Sequence, residues 1–326
     1  MSKGTTSEIV LRNLGKTKIK ITPIGQGVMQ FAGGTTFMKF VYPALTDKES
    51  NSIVKTALDG GINWFDTAEA YGFGLSEEKL SKGLQAAGIE DEEVVIATKW
   101  MPMMRRAESI RKTIANRLKH LHPYSIDLHQ IHMPYSLSSF QKQFDAMADI
   151  FEEGHIKSIG ISNFSAKQMR KAHEILEEKD LVLASNQVNY SLIKRNIESN
   201  GVLDAAKELG ITIISWSPLQ SGILSGKFHK DKEMFKNQPA VRRLRSRNQI
   251  KESQNLIDVL ENIAANHKAT ITQVALNWLV NFHGKIVVAI PGATKANQAE
   301  SNSRAMRIQL SKNELKEIDE KSRQFI

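Results

Sequence analysis

Asp66, Tyr71, Lys99 and His132 are an acid, a phenol, an amine and an imidazole whose chemistries fit together. Asp66, Lys99 and His132 each end a short apolar run, and Tyr71 follows just after Asp66. Lys99 lies 33 positions beyond Asp66, and His132 another 33 beyond Lys99. A free phenol has a pKa of about 10 and is a poor proton donor at neutral pH. A neighbouring ammonium favours the phenolate and lowers that pKa, while a carboxylate keeps the ammonium charged and fixed. A phenol tuned in this way can protonate a developing alkoxide while an imidazole orients the carbonyl oxygen. The set therefore suits reduction of a carbonyl by hydride, and it contains no nucleophile for acyl transfer. Each residue also has a plainer reading: Lys99 as a solvated strand end or ion-pair partner, Asp66 as a loop or capping carboxylate, Tyr71 as packing. Their placement at neighbouring strand ends is what favours the chemical reading.

That placement depends on the elements around them. Short β-branched runs alternate with amphipathic helical stretches at a period of about thirty residues. The runs are Thr22–Gly27, Ile62–Asp66, Val94–Lys99, Ile126–His132, Ile156–Ile161, Val182–Val188, Ile211–Trp216 and Ile286–Ile290. Helical patterns stand near Leu75–Ala87 and Ala107–Leu118. All runs but the last closely precede a polar or turn-rich segment and then a helix. This alternation predicts parallel strands joined by right-handed crossovers, and eight units predict an α/β fold of the (β/α)₈ TIM-barrel type. In such a barrel the C-terminal strand ends surround one mouth, where reactive groups sit. His129 and His132 have opposite strand parity, so only one of them is expected to face that mouth. A barrel of roughly 250 residues leaves a remainder. Glu8–Leu14 and Thr17–Ile21 flank Gly15-Lys16 as a hairpin ahead of the barrel, Gln220 to about Lys251 forms a long loop after the seventh strand, and a tail runs from Ser311. With no linker or low-complexity stretch, 1–326 reads as a single domain. A doubly wound sheet is the competing fold.

Composition narrows the function classes. The chain has 326 residues, 41% hydrophobic and 24% charged, as in ordinary globular proteins. It has no cysteine, which removes disulfide scaffolds, thiolate metal sites and cysteine nucleophiles and fits a reducing, cytoplasmic compartment. No stretch approaches the ~18 apolar residues of a membrane span, and Met1–Val10 lacks the apolar core of a secretory signal. Lys plus Arg outnumber Asp plus Glu by 44 to 35, a net charge of +9 that favours an anionic partner. The nearest approach to a dinucleotide fingerprint, Gly25-Gln26-Gly27-Val28-Met29-Gln30, lacks its third glycine. There is no Walker loop, His-Glu-x-x-His pair or Gly-x-Ser-x-Gly elbow, and the nine histidines show no metal-ligand spacing.

Several longer motifs then coincide. Gly61-Ile62-Asn63-Trp64-Phe65-Asp66-Thr67-Ala68-Glu69-Ala70-Tyr71-Gly72 resembles the signature of the aldo-keto reductase superfamily. So, in order, do Thr98-Lys99, Asp127 to His132, Gly160-Ile161-Ser162-Asn163-Phe164, Asn186 to Tyr190, Trp216-Ser217-Pro218-Leu219 through Gly226-Lys227, and Ile290-Pro291-Gly292-Ala293. The resemblance runs from about Leu11 to Asn302. It implies a barrel enzyme with Asp66, Tyr71, Lys99 and His132 as catalytic tetrad, Tyr71 as acid–base and a nicotinamide as hydride carrier. It also implies that Ser162, Asn163 and Gln187 hold the carboxamide, that Trp216 stacks on the nicotinamide, and that Ser217, Leu219, Gly222 and Lys227 grip the pyrophosphate. Gly292, Thr294, Lys295, Gln298 and Asn302 fall in the adenosine stretch, and Gly27, Val28, Met29, Asp66, Pro218 and Gln220 complete the cofactor set. The segment from Ser217 to Lys227 is similar to the branch that contains potassium-channel β subunits and microbial aldehyde reductases.

Gln298 and Ser301 stand where much of the family has arginine and glutamate, so recognition of a 2′-phosphate falls mainly to Lys295 or to the insertion with Arg242, Arg243, Arg245 and Arg247. His129 stands where tyrosine is common. The insertion reads either as a phosphate-contacting lid or as a solvated basic loop; no stacking aromatics accompany it, which argues against nucleic acid. Phe31, Trp100, Met101 and Met133, with Met29, would line a pocket for an apolar or aromatic carbonyl compound. The expected function is NADPH-dependent reduction of aldehydes or ketones. The alternatives are a cofactor-holding redox sensor that docks on a partner and turns over slowly, and a barrel isomerase or lyase of a phosphorylated sugar that needs no nicotinamide.

Overall fold

A two-stranded antiparallel hairpin, β1 (Arg12–Asn13) and β2 (Lys20–Ile21), precedes the main sheet in the computed structural model, which describes residues 8–35, 42–238 and 240–326. Eight parallel strands follow: β3 (Gln26–Gly27), β4 (Trp64–Asp66), β5 (Val95–Trp100), β6 (Leu128–Ile131), β7 (Ile159–Ser162), β8 (Leu183–Asn189), β9 (Thr212–Trp216) and β10 (Val287–Ala289). Each pairs with the next in chain order. Parallel bridges from Ile24 to Ala289 and from Gly27 to Gly292 join the first of them to the last, so the sheet closes on itself and leaves no free edge. This is the (β/α)₈ architecture, and each of its eight strands overlaps one of the eight runs that the spacing indicates, with β5, β7 and β8 extending one residue past theirs.

The helices take their places by local rules. α1 (Asp47–Asp59), α2 (Leu75–Ala86), α3 (Glu108–Leu121), α4 (Phe140–Glu152), α5 (Ala166–Glu177) and α6 (Val202–Leu209) each follow one strand. Thr46 and Glu49 form a capping box on α1, and Ser165 and Gln168 form one on α5; a good N-cap contributes about 1 kcal/mol. The stretch after β9 is not a loop. It folds as α7 (Lys227–Lys230), α8 (Lys232–Lys236) and α9 (Ala240–Glu252), followed by α10 (Gln254–Asn266) and α11 (Ile271–Asn281). Asp231 caps α8 through Met234 N–H, at 2.9 Å. Arg, Leu, Gln and Lys carry α9 by intrinsic propensity, without the apolar stripe that a pattern search needs. β10 is also followed by a helix, α12 (Ala296–Arg304), and the tail becomes α13 (Lys312–Ser322), capped by Ser311 and Glu314.

Strand parity sorts the side chains into two cores. Leu14, Ile21, Trp64, Ala97, Leu128, Ala184, Ile214, Val288 and Ile290 fill the barrel interior, with the hairpin closing its floor. Phe65, Ile96, Ile131, Ile161 and Ile213 point outward and pack under the helices. Along β4, β5 and β6, the interior positions one step above Trp64, Ala97 and Leu128 are Asp66, Lys99 and Gln130. The period of two thus lifts an apolar layer into a polar one at the mouth.

Candidate active site

Asp66 and Lys99 stand at the top of adjacent strands and are 2% and 0% exposed. The Lys99 Nζ donates to Asp66 Oδ1 at 2.5 Å and to the Thr67 carbonyl at 2.8 Å. Asp66 Oδ2 accepts from Gln187 Nε2 at 2.7 Å and from Gln130 Nε2 at 3.4 Å. Both carboxylate oxygens are therefore satisfied, as a buried charge requires. Gln130 finds room because residue 160 on the next strand is glycine: a Cβ there would stand 2.9 Å from Gln130 Cγ and 2.5 Å from Ser185 Oγ.

Tyr71 is carried by the loop between β4 and α2. The Thr67 hydroxyl donates to Ser76 Oγ at 3.0 Å, and Ser76 donates to the Val28 carbonyl at 2.7 Å, which pins the ends of the loop to the barrel. Gly72, Phe73 and Gly74 are three successive residues with positive φ that turn the chain into α2. Lys99 Nζ lies 5.3 Å from the centre of the Tyr71 ring, and the His132 ring stands edge-on to it at 5.9 Å between centroids. His132 lies one residue past β6, where its backbone N–H donates to the Trp100 carbonyl at 2.9 Å. Its Nδ1 is buried without a partner among the described residues. The structure thus brings Asp66, Tyr71, Lys99 and His132 together at the mouth of the barrel.

Electrostatics sharpen the arrangement and correct one expectation. Burial drives the Lys99 ammonium down, against the raising influence of Asp66 and Glu77. Burial also pushes the Tyr71 phenol up, and the Asp66 charge adds to it. The lowering of Tyr71 by Lys99 that the sequence suggests is outweighed in this state. Burial and then the charge of Lys99 bring His132 down to about 3, so its imidazole is neutral at physiological pH. His129 faces outward from the barrel and is likewise lowered to about 3 by burial and Arg117.

A second buried charge cluster, missed in the sequence, supports these loops from behind. Glu69 accepts from the Met101 backbone N–H at 2.7 Å, from Arg117 at 2.8 Å and from Arg105. Glu77, fully buried, accepts from the Thr98 hydroxyl at 2.6 Å and pairs with Arg117 Nε at 2.8 Å. Thr98 and His129 alternate with the inward-facing Lys99 and Gln130, so parity was the available signal that something polar had to meet them under α2 and α3.

Around the tetrad, Trp216 Nε1 donates to Asn163 Oδ1 at 3.0 Å, and Asn163 Nδ2 donates to Ser162 Oγ at 3.0 Å and to the His132 carbonyl at 3.2 Å. Ser162 Oγ donates to the Gln187 carbonyl at 3.0 Å. The Trp216 ring is thereby tied through Asn163 to the His132 backbone. Ser217 leaves β9 with φ 51°, and Gln220, Ser221 and Gly222 follow with φ 44°, 55° and 90°. Within this turn the Gln220 N–H donates to the Ser217 carbonyl at 2.9 Å and the Gly222 N–H to the Leu219 carbonyl at 3.0 Å. Pro218 and Leu219 lie within the turn, and Lys227 closes it, its Cε 3.2 Å from where a Gly222 Cβ would be. Across the mouth, Gln298 Oε1 accepts from the Thr294 backbone N–H at 2.7 Å. Lys295 is exposed at the start of α12, and Asn302 is buried with its Nδ2 unpartnered among the described residues. Gly27, Val28 and Met29 line the seam to Gly292, where Gln30 packs so closely that a Gly292 Cβ would meet its Nε2 at 2.1 Å.

Two pocket expectations change. Phe31 is 0% and Trp100 is 1% exposed, both in the outer core, and the Trp100 indole donates to Ser109 Oγ at 3.0 Å. Trp100 follows the inward-facing Lys99 and must point the other way. Met29, Met101 and Met133 are partly exposed, and the rim carries exposed Phe73, Met103, Met104, Tyr135 and Leu137 on the loops after β4, β5 and β6. Of the four insertion arginines, Arg243 is exposed and donates to the Lys236 carbonyl at 2.6 Å, and Arg247 is exposed. The side chains of Arg242 and Arg245 lie outside the described residues.

Comparison with known proteins gives the same outline. Residues 23–323 match the model of the aldo/keto reductase family. The aldo-keto reductase YhdN of Bacillus subtilis is 30% identical, over 94% of this chain and 92% of its own. A probable voltage-gated potassium channel subunit beta of Oryza sativa is 26% identical, over 90% of each. The solved structure of the thermostable aldo-keto reductase Tm1743 in complex with epalrestat superimposes with a TM-score of 0.78 at 29% identity, over 96% of this chain and 100% of that one. The closed eight-stranded barrel, the polar cluster at its mouth and these likenesses agree, and this chain belongs to the aldo/keto reductase family of oxidoreductases.

Proposed function

We propose that the protein reduces aldehydes or ketones to alcohols with NADPH, Tyr71 giving the proton that completes the alcohol. The observation that carries this reading is the buried Asp66–Lys99 pair held beside the Tyr71 ring, with a neutral His132 on its other flank. NADPH, when bound, supplies the hydride. Trp216 would stack on its nicotinamide, Ser162, Asn163 and Gln187 would meet the carboxamide, and Lys227 with the Gln220–Gly222 turn would meet the pyrophosphate. Lys295, exposed at the start of α12, suits a 2′-phosphate, and the unpartnered Asn302 amide suits the adenosine.

The proton side of the reaction belongs to the chain itself. A phenol is a stronger acid than an aliphatic alcohol, so transfer from Tyr71 to a nascent alkoxide is downhill even with the phenol pushed up. The phenolate left behind gains the positive field of Lys99, and Asp66 keeps that field fixed. His132 can donate one hydrogen bond to a carbonyl oxygen without adding charge. The apolar rim of Phe73, Met103, Met104, Tyr135 and Leu137 fits an apolar or aromatic carbonyl substrate. The test is Tyr71→Phe, assayed by loss of NADPH absorbance over a panel of aldehydes and ketones, with fluorescence titration of NADPH and NADH alongside. Turnover is expected to fall by roughly 10² or more, with NADPH still binding and binding more tightly than NADH. Substantial residual reduction removes Tyr71 from the acid role.

A further inference from the structure

The opposite end of the barrel has a concavity of its own. It has a volume of about 470 Å³ and lies between the hairpin and the starts of β9 and β10. Arg12, Lys16, Lys20 and Lys285 line it, with Asn13 and Thr212 between them, and no carboxylate does. Lys16, Lys20 and Lys285 are exposed and pair with no carboxylate among the described residues. Glu177 and Asp180 lie beyond Lys16 in a neighbouring depression of about 180 Å³ and do not reach this one.

Arg12 differs from the lysines in being built into the wall, only 6% exposed. It donates to the Val287 carbonyl and, at 3.0 Å, to Asn281 Oδ1, and its other N–H groups bond no described residue. Both acceptors are neutral, so the guanidinium is desolvated without a counter-charge, and burial lowers it to about 10. Isolated buried charge is costly unless something of opposite sign completes it. The pocket is of the size that holds a small molecule, and no aromatic ring lines it for base stacking.

We propose that this floor pocket binds a small phosphate-bearing anion, remote from the Tyr71–Lys99 cleft, with Arg12 as its fixed contact and Lys16, Lys20 and Lys285 closing around it. The ligand bridges the hairpin to β9 and β10 and so fastens the plug of the barrel. The site is independent of the proposed reaction, since none of its residues belongs to the cleft.

Isothermal titration of the full chain with sodium pyrophosphate tests it, comparing wild type with Lys16→Glu/Lys285→Glu and with Lys227→Ala. The double reversal is expected to weaken binding roughly tenfold or more, while Lys227→Ala leaves the floor site unchanged. The reversed lysines are exposed, and an unchanged circular dichroism spectrum checks that the variant is folded. Wild-type affinity in the double reversal, loss of binding in Lys227→Ala, or absence of binding to wild type overturns the proposal. So does tighter binding of duplex DNA than of pyrophosphate through the same lysines, which assigns the patch to nucleic acid.

Discussion

Asp66→Asn isolates a fully buried charge, that of Lys99. The substitution keeps the size and one oxygen acceptor for Gln187, but it leaves Lys99 without its counter-ion in a site with no exposure. The Thr67 carbonyl still accepts from Nζ, so one hydrogen bond survives. Breaking a buried pair from one side costs about 3–5 kcal/mol. The pH dependence gives the sharper test. Lys99 is already lowered by burial, and Asp66 is the larger of the two influences that raise it back. Removing Asp66 lowers Lys99 further, so over a wider span of pH below the unfolded lysine's own pKa the unfolded variant binds a proton that its folded state does not. Stability then rises with pH, by up to about 1.4 kcal/mol per pH unit, until the unfolded lysine loses its own proton near 10.4. The deficit of the variant is therefore larger at low pH and narrows as the pH rises. Urea unfolding followed by the fluorescence of Trp64, Trp100 and Trp278, all buried, measures it at each pH. A deficit below about 1 kcal/mol, or one that does not change with pH, refutes the reasoning.

Three further outcomes follow from other sites. Because His132 is lowered to about 3, kcat/KM for carbonyl reduction is expected to show no inflection from it between pH 5 and 8; an inflection near 6.5 that vanishes in His132→Gln contradicts this. Arg195 holds Glu198 and Asp319 at 2.6 and 2.7 Å under α13, so Arg195→Met is expected to cost about 3–5 kcal/mol in urea unfolding. Glu198 is lowered to about 2 with hydrogen bonds from His283, Arg195 and Tyr190 opposing its burial, so its stabilising share is present above about pH 4.3 and lost as pH falls toward 2; acid titrations of stability with and without Arg195 should diverge above that window and converge below it. Gly160→Ala should destabilise by about 1–3 kcal/mol through overpacking against Ser185 and Gln130, read as a lower melting temperature.

The strands were legible because each is a short apolar run recurring at a period of about thirty residues. Asp66 and Lys99 were legible as polar steps on otherwise apolar inward faces. Trp100 and Phe31 show where residue type misleads. Both look like pocket walls, yet parity sends Trp100 outward and packing encloses Phe31. Glu69, Glu77 and Arg117 were hidden because carboxylates and arginines on helices and loops look solvated until the facing wall is known to carry Thr98 and His129. The helical insertion was hidden because α9 lacks amphipathic periodicity, the feature by which helices are found in sequence.

The filled interior has a consequence for traffic. Trp64, Leu128, Ile214 and Val288 occupy the middle of the barrel, and Leu14 and Ile21 seal it below. No molecule can pass from one end to the other, so whatever enters the cleft beside Tyr71 must depart through the same doorway. Molecules that use it in succession share one vestibule.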